Sequence, residues 1–221
     1  MTTSTPGTTR DRHAIATAIA ADIEPGSYVN LGIGQPTLVA DHLPRNAGIV
    51  LHTENGMLNM GPAASGDEID PDLTNAGKIP VTELPGAAYF HHADSFAMMR
   101  GGHLDVCVLG AFEVATNGDL ANWHTGKPDA IPAVGGAMDL AIGAKQIWVM
   151  MSLFAKNGDS KLVGSCTYPL TGAGCVDRVY TDIATFDLAA ARDGGPVYVR
   201  DLSGMTFEEL SERVEVPLVE G

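Results

Sequence analysis

The chain has little positive charge. Its 221 residues hold 13 Lys and Arg against 27 Asp and Glu, a formal net charge of -14. Phosphate backbones need a basic face, which argues against nucleic acid as a partner. A local pocket can still bind an anion that the global charge repels. Cysteine is scarce as well. Cys107, Cys166 and Cys175 are odd in number and form no CxxC pair. That pattern fits neither a disulfide framework nor a zinc site. The histidines show no HExxH spacing, and the neighbours His91 and His92 do not share one face of a helix. No metal is expected. No serine sits in a G-x-S-x-G elbow. Apolar residues make up 45% of the chain, too many for disorder. Yet no apolar run approaches the ~18 residues of a membrane span, so no membrane association is expected. The polar start MTTSTPGTTRDR has no apolar leader core. The expected compartment is the cytoplasm.

What is present reads as α/β. DRHAIATAIAADIEPGS carries Ile15, Ile19 and Ile23 at four-residue spacing, which predicts an amphipathic helix stopped by Pro25 and Gly26. YVNLGIG reads as a short strand running into glycines. Pro36 suits the first turn of a following helix, PTLVADHL. GIVLHTE reads as a second strand ending at Glu54. This alternation predicts an open, mostly parallel sheet flanked by helices. From Met57 to Lys78 the chain is rich in Gly, Pro, Asp and Ser, and a long irregular loop is expected, of the kind that carries function. Further on, ADSFAMMRGGH and GGAMDLAIGAKQ predict helices, while LDVCVLGAFEV, IWVMMSLF and VYVRDL predict strands. TFEELSERV predicts a last helix, with Thr206 and Glu209 spaced as a capping box. Residues 1–11 are expected to be a flexible tail, and 12–221 one domain.

Four places could carry chemistry. Glu54 stands at a strand end, where open α/β sheets bind ligands. A carboxylate there can act as a nucleophile, or it can be a solvated glutamate before an Asn-Gly turn. The turn of Gly32, Ile33, Gly34, Gln35 and Pro36 can aim backbone N–H groups at an anion, or simply connect strand to helix. Gly135-Gly136 before Ala137 opens a second such turn, for which close backbone packing is the other reading. Lys156, in FAKNG, can meet a phosphate or sit in solvent.

The stretch HTENGMLNMGP, with YVNLGIGQPTLVA before it and IPAVGGAMDLAIGAK and CTYPLTGAGCVDRVYTD after it, resembles the β subunit of family I CoA-transferases. HHADSFAMMRGGHLD with GDLANWHTG looks most like the 3-oxoadipate branch of that family. The resemblance starts near Arg12 and runs through almost the whole remaining chain. It implies the NagB/RpiA-like fold of such subunits. It implies that Glu54 takes CoA from succinyl-CoA as a covalent glutamyl-CoA thioester and passes it to 3-oxoadipate. Such a nucleophile is already ionised at neutral pH and needs no basic neighbour. By the same resemblance, Gly32 to Pro36 and Gly135 to Ala137 supply oxyanion donors and line the CoA channel. Asn55 and Gly56 turn the backbone behind the nucleophile, and Lys156 lies close to CoA. Coenzyme A esters are substrates, and no cofactor is bound permanently. Acetoacetate or another 3-oxoacid is the alternative acceptor. A CoA-ester hydrolase-like or metabolite-binding subunit is the alternative role. Thr53 stands where the family usually has Ser, and its hydroxyl is retained. The GGFG-type signature of the α subunit is absent here. An α partner, usually in an α2β2 heterotetramer, is therefore implied.

Overall fold

The computed structural model describes residues 8–126, 131–132 and 135–221. In chain order its first strands are β1 (Tyr28–Leu31), β2 (Val50–Thr53), β3 (Met57–Ala63), β4 (Val81–Tyr89), β5 (Val106–Leu109) and β6 (Glu113–Ala115). They are followed by β7 (Leu120–Ala121), β8 (Gln146–Met150), β9 (Leu162–Val163) and β10 (Val176–Tyr180). The last are β11 (Ala184–Asp187), β12 (Val197–Leu202) and β13 (Leu218–Glu220). Ten of them form one sheet in the order β13-β12-β11-β10-β8-β5-β1-β2-β3-β4, and β7-β6-β9 form a small second sheet.

The centre of the large sheet is parallel: β10 pairs with β8, β8 with β5, β5 with β1, and β1 with β2. Strands buried on both faces must be apolar throughout, and VCVL of β5 is buried at every position. Antiparallel pairs flank this centre, through β2/β3/β4 on one side and β10/β11/β12 on the other. Helix α1 (Arg12–Asp22) covers one face together with a 3-10 helix, Gln35–His42. Ile15, Ile19, Val39, Leu51 and Trp148 belong to the core on that side. Helices α2 (His92–Arg100), α3 (Ala137–Gly143) and α4 (Phe207–Arg213) cover the other, where Met99, Cys107, Leu140, Phe186 and Leu210 pack. The capping box of α4 forms as its sequence predicts, with the Thr206 hydroxyl and the Glu209 carboxylate each accepting from the other's backbone.

Two expectations change. The stretch from Met57 to Lys78 is not one irregular loop, because Met57–Ala63 forms β3 and pairs with β4 through register shifts. Its Gly and Pro residues mark these irregularities rather than the absence of a strand. The tail is held from Thr8 onward. Arg10 donates its backbone N–H to the Asp182 carbonyl at 2.8 Å, and its guanidinium bonds Thr185 and Asp201. The Ser203 hydroxyl donates to the Thr8 carbonyl at 3.0 Å. The turn before β11 and the β11/β12 ladder offer these partners, which a reading of the tail's own composition cannot see. Residues 1–7 of the expected tail lie outside the described residues.

Candidate active site

Glu54 begins a three-residue hairpin loop. Thr53 pairs with Met57 across β2 and β3, leaving Glu54, Asn55 and Gly56 to close the turn. The Gly56 N–H donates to the Thr53 carbonyl at 3.1 Å, and the Met57 N–H donates to the Thr53 hydroxyl at 3.1 Å. Gly56 has φ of 113°, which favours glycine. Asn-Gly at a hairpin tip follows from the same need. The Asn55 side chain donates to the Thr74 carbonyl at 2.9 Å, so it ties the β3–β4 connection to the turn.

The tip overlooks a cleft of about 500 Å³. Its floor follows from topology. After β1 the chain moves to β2 on one side, whereas β5 lies on the other, so the order reverses at β1. Ligands of open α/β sheets bind outside the carboxyl ends of the strands at such a point. Leu31 ends β1 and Gly32 and Ile33 follow it, Glu54 follows β2, Gly110 to Phe112 follow β5, and Met151 and Ser152 follow β8; all line the cleft. So do Gln35, Pro36, Gly135, Gly136 and Ala137. The two glycine turns and the strand-end carboxylate therefore meet. Gly34, Asn55, Gly56 and Lys156 are not among the lining residues. Lys156 sits on an exposed turn closed by the Ala155 N–H donating to the Asp159 carbonyl.

The glycine turns differ in what they offer. The Gly32 N–H is already donated to the Val108 carbonyl at 2.8 Å. The Ile33 and Gly34 N–H groups bond no described group. Gly34 takes φ of 95° as the cap of the 3-10 helix, which turns the chain sharply behind them. Gly136 has another task. A Cβ there would lie 2.2 Å from Oε2 of Glu54 and 3.2 Å from Phe96. Its missing side chain is the space the carboxylate occupies. Gly136→Ala should therefore push aside a flexible side chain at little cost in stability. A catalytic group displaced by about 1 Å can lose 10²-fold in rate. Melting temperature near the parent value with turnover down about 100-fold is the expected result; calorimetry and kinetics on one preparation check it.

Glu54 is partly buried and accepts no hydrogen bond from the described residues. Burial raises its pKa, and the nearby charge of His92 partly opposes the rise. A carboxylate stripped of water is a stronger base and a better nucleophile than a solvated one.

Behind the tip lies a buried polar chain. Asn30 of β1 donates one amide hydrogen to Nδ1 of His52 at 3.0 Å and the other to the His52 carbonyl at 3.1 Å. Nε2 of His52 lies 2.9 Å from the Ser95 hydroxyl, which itself donates to the Thr53 carbonyl at 2.9 Å. With Asn30 donating to Nδ1 and the Ser95 hydrogen spent on Thr53, His52 must carry its proton on Nε2 and stay neutral. Burial pushes its pKa down to about 4. The pH consequence has a definite sign. Unfolded His52 binds a proton below about 6.5 and folded His52 does not, so stability falls as pH drops from about 6.5 toward 4. The slope approaches about 1.4 kcal/mol per pH unit for one proton. Unfolding between pH 6 and 5 should take up about one more proton in the parent than in His52→Gln; calorimetry in buffers of different ionisation heat measures the difference.

Asn75, Asn122 and Lys161 also line the cleft and escaped the sequence reading. Asn75 accepts from the Gly77 and Ile79 amides and so shapes the loop facing Ile33. Asn122 donates to the Gly110 carbonyl at 3.0 Å and fixes the turn after β5. Asn122 lies within GDLANWHTG, so a signal existed, whereas Lys161 follows an ordinary polar turn. Among the described residues no group of three His, Cys, Asp or Glu is placed to hold a metal ion, and no helix is long and apolar enough to cross a membrane.

Comparison with known proteins converges on one family. Residues 12–207 match the family model for coenzyme A transferase. The chain is 54% identical over 212 residues to the B-type subunit of 3-oxoadipate CoA-transferase from Acinetobacter baylyi, covering 96% of this chain and 95% of that one. It is 44% identical to the B-type subunit of succinyl-CoA:3-ketoacid coenzyme A transferase from Helicobacter pylori, covering 92% and 96%. Among solved structures, an acyl-CoA transferase of Escherichia coli O157:H7 shares the fold at a TM-score of 0.72 and 19% identity. That match spans all of this chain and 43% of the larger one.

Proposed function

The chain belongs to the coenzyme A transferase family, and from that membership we propose that it is the B-type subunit of an enzyme moving CoA from succinyl-CoA to 3-oxoadipate, with Glu54 as nucleophile. The observation that carries the reading is the Glu54 carboxylate, unbonded by any described group, in one cleft with both glycine turns.

The steps follow from carboxylate chemistry. A Glu54 oxygen attacks the thioester carbonyl, the C–S bond breaks, and CoA thiolate leaves a mixed anhydride. The thiolate then attacks the glutamyl carbonyl carbon and expels succinate. The glutamyl-CoA thioester reacts with the carboxylate of 3-oxoadipate by the reverse sequence. No proton has to be taken from the nucleophile. Negative charge develops on the carbonyl oxygen at each addition, and the Ile33 amide suits it because Ile33 lines the cleft and its N–H has no other described acceptor, while Gly34 bends the chain behind it. Gly32 shapes this turn rather than donating, since its N–H is occupied. Gln35, Pro36, Gly135 and Ala137 complete the wall toward CoA. Lys156 is left the outer part of the CoA path, Asn55 and Gly56 the turn itself. CoA esters pass through as substrates, with no resident cofactor. The B-type relatives point to an A-type partner, with α2β2 as the proposed assembly and the cytoplasm as its compartment.

Trapping tests the reading. The chain co-purified with its partner is incubated with succinyl-CoA alone, reduced with borohydride, and mapped by mass spectrometry. Reduction of a thioester to the alcohol at Glu54, absent from Glu54→Gln, is the expected result. An unmodified Glu54 peptide in an assembly that turns over would refute the nucleophile. Loss of thioester without exchange between two acids would point instead to a hydrolase.

A further inference from the structure

We propose that Lys161 receives the far carboxylate of the acyl group and thereby selects dicarboxylic substrates. The proposal rests on the reading of Glu54 as acyl acceptor.

Lys161 lines the same cleft as Glu54, Gly32 and Gly136, and it is the one Lys or Arg among the described lining residues. Its backbone is fixed from two sides. The Lys161 N–H donates to the Leu153 carbonyl at 2.8 Å, and the Val114 N–H donates to the Lys161 carbonyl at 2.9 Å. The next residue, Leu162, is 1% exposed and anchors β9 in the core. The root of the side chain is thus set by the small sheet, which places a cation at the cleft wall.

This ammonium group has no assigned work inside the chain. Among the described residues it forms no ion pair and no side-chain hydrogen bond. Asp182 is the acid whose charge it feels, and Oδ1 of Asp182 already accepts the Leu153 N–H at 2.8 Å. Burial lowers the pKa of Lys161, the direction expected where water is displaced without a close counter-ion. An incoming anion would relieve that cost.

The substrates supply such an anion. Succinyl-CoA keeps one free carboxylate at the far end of its acyl chain, and 3-oxoadipate keeps one after the other has reacted. That charge must enter a cleft that already contains the Glu54 carboxylate and is otherwise lined by apolar and neutral groups. An unpaired carboxylate is disfavoured there, and a fixed lysine is the partner that its charge requires.

The test compares succinyl-CoA with butyryl-CoA, which has the same chain length and no far carboxylate. The parent assembly, Lys161→Met and Lys161→Arg are each purified with the partner subunit. Initial rates of transfer to a common acceptor give a succinyl-to-butyryl ratio within each preparation, so a loss of folded material cancels. The parent should favour succinyl-CoA. Lys161→Met should lower the ratio by about 10- to 100-fold, the usual range for a lost bond to a charged group, and Lys161→Arg should restore part of it. Equal loss with both donors would assign Lys161 to CoA itself or to the fold and overturn the proposal. An unchanged ratio, or a parent without preference, would overturn it too. Borohydride mapping of the parent separates the two readings. A labelled Glu54 with an unchanged ratio defeats Lys161 alone, whereas an unlabelled Glu54 in an active assembly defeats both.

Discussion

Glu54→Gln should lower CoA transfer by about 10⁴-fold or more, the scale expected if the proposed covalent nucleophile is lost, and should at the same time make the folded chain more stable. The two effects share one cause. Burial raises the pKa of Glu54, so above the ordinary carboxylate range the folded state binds a proton more readily than the unfolded state. Stability contributed by this side chain therefore falls as pH rises through that window. At neutral pH the carboxylate is a cost that folding bears. Gln has the same shape and no charge to desolvate. Its melting temperature should exceed the parent's by about 1–3 °C, since a chain of this size moves ~2–4 °C per kcal/mol. The difference should shrink as pH falls toward 4. Thermal melts at pH 7 and pH 4.5, with rates on the same samples, check both halves. A Gln variant that is inactive because it is less stable contradicts the account.

Gly56→Ala should act in the opposite way, through the fold. A Cβ at position 56 would lie 2.2 Å from the Phe90 carbonyl oxygen, and that atom belongs to a backbone that cannot turn aside. Phe90 also donates its N–H to the Gly56 carbonyl at 3.0 Å, so the two segments are held together at the point of collision. Added to this is a φ of 113° that L residues rarely take. A cost of about 3 kcal/mol follows from such clashes and strain, equivalent to roughly 6–12 °C in a chain of this length. Gly136→Ala meets a movable side chain instead and should spare stability while harming turnover. Measured together, the two substitutions separate a glycine that the fold needs from a glycine that the carboxylate needs.

Much of this could be read from the residues, and the misses have physical reasons. The apolar runs VCVL and IWVM give the buried parallel strands because a doubly covered strand has no polar face to interrupt the pattern. Glu54 is visible as an acid between the end of β2 and Asn-Gly, a place that equally suits a solvated turn residue, and only the family resemblance chose between the two readings. β3 and β4 were hidden because register shifts break the period-two pattern. Asn-Gly is a hairpin signal and marks the start of β3, though not of β4. The roles of His52 and Ser95 were invisible for another reason. They lie 43 positions apart and acquire meaning only when α2 folds onto β2. Lys161 and Asn75 likewise join the cleft through loops of distant origin, and no local spacing encodes that.

The hairpin has a consequence for how such an enzyme can change over time. The proposed nucleophile sits on a three-residue turn closed by its own backbone, with almost no latitude for insertion or exchange. The turn after β1 holds the proposed oxyanion donor and belongs with it, but the other walls come from separate connections after β5 and β8 and from the turn before β9. Those segments can lengthen or be replaced one at a time without moving the turn. Reactivity is thus inherited as one rigid piece, while the choice of acid is open to piecemeal revision. A lineage built on this plan can diversify its diet without reinventing its chemistry.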